Sequence, residues 1–243
     1  MFGYTVHQFG IDTNTLPILQ NLVAWFDAAD VNTVTESSGN VSQWDDKSGN
    51  DHNATQGTAS DQPTYVANAQ NGLHAVRFNG TSDFLDLGSV VISGTTGRTF
   101  FLVANAVATG NTETMISLTT SSTTAERYDL NSQVSLRVQG GNIVYTVSVV
   151  GAAYVVTIRN AASSDCDVTD GRRDGVTMTV STSSSEIINT GTTGTTRLGE
   201  RNIGTSWYEG DLYEVIMYDR ELTNTEVESV ERYLAVKWGI TLA

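Results

Sequence analysis

Only two of the 243 residues are lysines, Lys47 and Lys237, and the basic residues number 13 against 27 acidic ones. A chain with a formal net charge of −14 has no basic stripe with which to displace the counterions of a phosphate backbone, which excludes nucleic acid as a partner. The same acidity repels an anionic membrane surface, and no apolar run approaches the roughly 20 residues of a membrane-spanning helix. Cys166 is the single cysteine, so no intramolecular disulfide forms and stability must come from the core, bound ions or assembly. The first residues, Met1 to His7, lack the basic start and apolar core of a signal peptide, which predicts synthesis in a cytoplasm.

Several chemistries are missing as well. His7, His52 and His74 share no ligand spacing with one another or with Cys166, which argues against zinc. No nucleophile elbow, phosphate loop or dinucleotide-binding glycine pattern occurs. Asp165 and Asp167 flank Cys166 and disfavour its thiolate.

What the chain does have is the composition of strands and turns. Charged residues make up 16% and hydrophobic ones 39%, with Ser, Thr, Asn and Gly filling the difference. Residues 1–20 read as an arm, whose Phe2, Tyr4 and Phe9 need a surface to pack on. β-branched and aromatic runs then recur at 22–26, 75–78, 84–87, 99–107, 113–118, 134–138, 143–150, 154–159, 176–181, 195–198 and 212–218, the pattern of an antiparallel sandwich. Asn79-Gly80 and Asp174-Gly175 suit tight hairpin turns. One segment departs from this pattern. Thr223-Asn224-Thr225-Glu226 is a capping box, followed by Val227, Val230, Leu234 and Trp238 at helical spacing and closed by Gly239. The stripe should lie on the sandwich with Glu228, Glu231 and Arg232 in water.

Three blocks resemble the laminin-G-like, concanavalin-A-like superfamily of bacterial surface and phage structural proteins. They are Leu22–Asp30 with Val41–Asn50, which carries a Trp-Asp-x-Lys-Ser-Gly-Asn turn; Ala75–Leu85; and Gly210–Leu222 with Tyr233–Gly239. They span residues 22–240 in the family's order. The resemblance implies an all-β jelly-roll sandwich at 21–243 with one C-terminal helix, and it carries little information about ligand chemistry.

Four sites attract a chemical reading. Glu209-Gly210-Asp211-Leu212-Tyr213-Glu214 resembles the catalytic strand of retaining β-glucanases built on this jelly roll, where carboxylates about 5 Å apart do the work. Gly210 stands in place of the expected aliphatic residue, and a Gly-led core strand with rim carboxylates is the favoured reading. Asp165–Gly171 alternates acids before a glycine but lacks the EF-hand order. Asp45, Asp46 and Asn50 could supply oxygens to a structural calcium ion or simply form Asx turns; no cofactor is required. The fourth is a loop for glycans, with Asn202, Trp207, Tyr208 and Glu209 as ligand-binding candidates. Only one of the two adjacent aromatics can face solvent.

A lectin-like domain with no export signal leads to the expectation of a non-catalytic phage virion surface protein, a capsid decoration or short-fibre knob. Its arm would dock to other virion proteins, its jelly roll would meet surface glycans, and it would self-associate, as a trimer for instance. Two alternatives stay open: a secreted or cell-surface glycan-binding module, and a glycoside hydrolase using Glu209 and Glu214.

Overall fold

A computed structural model describes residues 15–107, 113–118, 128–132, 135–138, 141–145, 151–183, 185–201 and 206–243. Its strands pair antiparallel throughout and form two layers. In the first layer the long strand Glu209–Tyr218 lies beside Arg98–Ala106, which pairs onward with Tyr154–Asn160 and then Asp170–Arg173. Its other edge is shared by the opening strand Leu22–Asp27 and by Leu73–Asn79. The second layer runs through Asn40–Trp44, Ala54–Thr55, Leu85–Asp86, Arg197–Leu198, Thr114–Ser117, Tyr128–Asn131, Ser135–Val138 and Gly141–Tyr145. The expected β-sandwich with a single C-terminal helix is therefore the observed architecture.

The central strands of the first layer are apolar on both faces, which is why they read as nearly unbroken hydrophobic runs. Phe100, Leu102, Val156, Leu212, Val215 and Met217 point between the layers. Phe101, Val103, Val155, Tyr213, Ile216 and Tyr218 point the other way, where the helix α1 (Asn224–Trp238) covers them with Val227, Val230, Tyr233, Leu234 and Trp238. A bulge in the pairing between Leu212 and Glu214 interrupts the alternation. It turns Tyr213 and Glu214 toward the helix together, the re-aiming that bulges provide. Leu16, the innermost described residue of the expected arm, packs into this same helix-side cluster at 1% exposure. Residues 1–14 lie outside the described set.

The helix begins and ends as its residues dictate. Thr223 Oγ1 accepts from the Glu226 amide while the Glu226 carboxylate accepts from the Thr223 amide, and Gly239 closes the helix at φ 66°. The Arg220 guanidinium, then the Thr223 amide, hold the Glu226 carboxyl down at about 2. A carboxylate depressed on folding stabilises the folded state above its unfolded value and loses that contribution as pH falls through its folded value. The cap should therefore weaken between about pH 4.5 and pH 2. Thr223→Ala should cost about 1 kcal/mol at neutral and acid pH alike, whereas the loss on Glu226→Gln, read from urea melts at pH 7 and pH 2.5, should shrink in acid.

Two expectations need correction. Glu231 does not face water: it is 1% exposed, accepts from the Thr157 hydroxyl at 2.8 Å and pairs with Arg172 at 3.0 Å. A charged residue beside the apolar stripe looks solvated in sequence, and only the arginine arriving from a neighbouring strand makes its burial tolerable. The Asn79-Gly80 hairpin is in fact an Asx turn, in which Asn79 Oδ1 accepts from the Thr81, Ser82 and Asp83 amides. Asp174-Gly175 is a two-residue turn with both residues at positive φ, 48° and 83°, between the paired Arg173 and Val176.

Candidate functional site

A groove of about 360 Å³ opens where the strands Leu73–Asn79 and Glu209–Tyr218 run out, and Arg77, Asn79, Val107 and Glu209 line it. Register explains the assembly: Asn79 lies opposite Glu209 and Arg77 opposite Asp211, while the Val107 amide donates to the Glu209 carbonyl at 3.0 Å. Arg77 Nε and Nη2 donate to the two Asp211 carboxylate oxygens at 2.6 and 2.9 Å. This bidentate pair fixes the guanidinium plane and leaves Nη1 as a donor, on a side chain that is 51% exposed. The Glu209 carboxylate has no hydrogen-bond or ion-pair partner among the described residues. Val107, 58% exposed, adds an apolar surface beside them. A preset donor, a free acceptor and an apolar wall thus converge.

Of the sequence-selected binding residues, Glu209 lines this groove and Asn202 lies outside the described residues. Tyr208 is fully buried; its hydroxyl donates to the Asp211 carbonyl at 3.2 Å and its ring meets Phe78. Trp207 is part-exposed and pairs with Glu200 in a short two-stranded ladder, and it is not among the residues that line the groove. Arg77 and Val107 escaped the sequence reading. The outward alternation of Arg77 and Asn79 in an otherwise buried strand was the available signal.

Asp45, Asp46 and Asn50 serve as loop ties. Asp46 accepts from the Trp25 and Ser48 amides through Oδ1, and from the Ser48 hydroxyl and His52 amide through Oδ2. Asp45 accepts from the Gln43 amide nitrogen, and Asn50 Nδ2 donates to the Leu22 and Val23 carbonyls. Among the described residues no group of three or more His, Cys, Asp or Glu is placed to hold a metal ion. Cys166 is buried, and burial, then Asp167, pushes its thiol up to about 12.

Glu214 does not form an open carboxylate pair with Glu209. It is fully buried under α1, where Oε1 accepts from Trp25 Nε1 and the Tyr233 hydroxyl, both at 2.8 Å. Oε2 accepts from Trp238 Nε1 at 2.7 Å and meets Lys237 Nζ at 2.8 Å. Every lone pair with room for a donor is taken, and helix residues supply three of the four. The bulge and the helix together convert a catalytic-looking spacing into an anchor.

With this geometry in view, the chain can be compared with known proteins. No family model matches it, and no curated protein does. Among solved structures it is similar to domain 4 of AbnA, a GH43 extracellular arabinanase from Geobacillus stearothermophilus in complex with arabinotriose, with 16% identity, a TM-score of 0.60, and 87% of this chain and 98% of that one covered. It is also similar to the Trypanosoma rangeli sialidase, with 14% identity, a TM-score of 0.56 and 93% coverage of this chain, but spans only 34% of that enzyme. A GH54 α-L-arabinofuranosidase matches at 12% identity and a TM-score of 0.57, with 89% of this chain and 59% of that one covered. The fold is a concanavalin-like β-sandwich. At these identities the likeness establishes architecture and leaves the site to be argued from its own residues.

The comparisons overturn the virion reading. The solved structures named above are parts of carbohydrate-active proteins, and none of these is a phage structural protein. The expectation that the chain stands outside enzymes is corrected by the same finding, since glycoside hydrolases and sialidases carry this sandwich. The virion expectation rested on composition and on the first residues of the chain, and the non-catalytic one on Gly210 within the Glu209–Glu214 strand; neither reports what a groove recognises.

Proposed function

We propose that this sandwich is the saccharide-binding part of a carbohydrate-active protein, of laminin-G-like kinship, and that it holds its ligand in the groove between Arg77 and Glu209. The observation that carries the reading is the juxtaposition of an oriented guanidinium, an unpartnered carboxylate and an exposed valine. Sugar rings present hydroxyls that both donate and accept, on edges that alternate with apolar C–H faces. A site for them needs both hydrogen-bonding senses beside an apolar surface, with few groups to reorganise on binding. Trp207, part-exposed two residues before Glu209, offers an aromatic face with little rotamer freedom to lose. The arabinotriose bound to the arabinanase domain makes arabino-oligosaccharides the first ligands to try.

Glu209→Gln is the clean test, because it removes the charge without leaving a protein partner unpaired. A hydrogen bond to a charged group contributes about 1.5–3 kcal/mol, so calorimetric titration with arabinotriose should show an affinity loss of about ten- to hundredfold. Unchanged affinity in a folded Glu209→Gln protein would place the ligand elsewhere.

A further inference from the structure

Asp27, Glu214 and Lys237 meet beneath α1 at exposures of 4%, 0% and 9%. Lys237 Nζ stands 2.7 Å from Asp27 Oδ1 and 2.8 Å from Glu214 Oε2, while Lys47 Nζ holds Asp27 Oδ2 at 2.9 Å. The indoles of Trp25 and Trp238 and the phenol of Tyr233 enclose the Glu214 carboxylate. An amine and a carboxyl held in contact and largely buried, at the floor of a pocket of about 460 Å³ that Asp30 and Lys47 also line, have the reduced entropic barrier of an intramolecular reaction. Burial also penalises them as ions, so condensation to a neutral amide removes one buried cation and one buried anion together.

We propose that Lys237 and Asp27 become joined by an isopeptide bond, with Glu214 as the catalytic residue that carries the proton. The ion pair is the precursor. Lys237 Nζ passes one proton to Asp27 Oδ1 along their 2.7 Å contact, and the free amine attacks Asp27 Cγ. Negative charge then gathers on Oδ2, where the Lys47 ammonium stabilises it. Glu214 Oε2 takes a second proton from Nζ and returns it to the Oδ1 hydroxyl. The Cγ–Oδ1 bond breaks, water leaves, the carbonyl reforms on Oδ2, and Nζ keeps its last proton in the amide. No oxidant or external reactant is needed. Burial raises the Glu214 carboxyl against the opposing pull of Lys237, which suits a group that accepts a proton and gives it back. The bond would tie the opening strand to the last turn of the helix, nearly the full length of the described chain.

The test is the intact mass of the purified full chain after denaturation. We expect a deficit of one water molecule, and a branched peptide joining the Asp27 and Lys237 segments in a proteolytic digest. Both should be present in the unaltered protein and in a folded Gly57→Ala control, and absent from Lys237→Arg and Glu214→Gln. An intact mass equal to the full residue sum after prolonged incubation overturns the proposal. So does a deficit that maps to succinimide at Asp174-Gly175, or a branched peptide through Lys47. A folded Glu214→Gln protein that still forms the link removes Glu214 from the chemistry.

Discussion

Glu214→Ala is expected to lower the unfolding free energy by about 3–5 kcal/mol, the usual cost of leaving a buried charge network without one partner. At two to four degrees per kcal/mol for a chain of this size, the melting midpoint should fall by roughly 10 °C. The reason is local and countable. Without the carboxylate, two indole N–H groups and one phenol lose their acceptor in a region with no solvent to replace it, and the Lys237 ammonium keeps Asp27 as its one carboxylate partner. Three of these donors belong to the helix, so α1 should loosen before the sandwich does. Glu214→Gln, which restores an acceptor oxygen and adds no volume, should recover part of the loss. Differential scanning calorimetry of the three proteins gives the ordering, and an alanine variant within about 1 kcal/mol of the parent would show that the network does not anchor the helix.

Gly210→Ala should destabilise by about 3 kcal/mol, at the upper end of what overpacking costs. A Cβ there would stand 2.4 Å from the Asn105 carbonyl oxygen and 2.7 Å from the Tyr208 hydroxyl. The first of these is backbone in a strand paired on both sides, so it cannot step aside as a flexible side chain would. Gly210 also lies between Glu209 and Asp211, and any shift of the strand moves the acceptor and the arginine's anchor together. Saccharide affinity should fall with stability. Gly57→Ala, with nothing within 4 Å of the added carbon, is the matched control and should be near neutral in both respects. Denaturant melts with linear extrapolation compare the three proteins.

The parts of the fold that could be read in advance are those set by local chemistry. The capping box and Gly239 gave the ends of α1, and the continuous apolar runs gave the central strands. The pairs that bring distant segments together could not be read. Tyr128–Asn131 is a fully buried strand with an acid and an amide in four residues; its Asp129 is tolerable inside because the Ser117 hydroxyl donates to it from the adjacent strand. Thr64–Gln70 was hidden because its register shifts between Val66 and Gln70, with Asn68 at φ 53°, so its alternation breaks. Around the groove, Glu209 and the neighbouring Trp207 stood out as a polar and aromatic cluster near a turn, whereas Arg77 did not. Its partner Asp211 lies 134 positions away, and the guanidinium becomes a rigid donor only through that pairing. The same limit explains Glu214, whose spacing suggested catalysis until a bulge and a helix enclosed it.

Of the four tryptophans, Trp207 lies two residues before Glu209 of the groove and gives it a nearby reporter. Trp25, Trp44 and Trp238 are 7%, 0% and 0% exposed, and only Trp207 reaches solvent among them. An indole-selective ¹⁵N NMR spectrum should therefore contain four N–H resonances, and arabinotriose titration is the measurement that bears most directly on saccharide binding at this site. The expected result is a saturable shift of the Trp207 resonance, with the other three unmoved and the response weakened in Glu209→Gln. A Trp207 resonance that stays still across a panel of arabino-oligosaccharides and sialosides, or binding that moves a different indole, would contradict it.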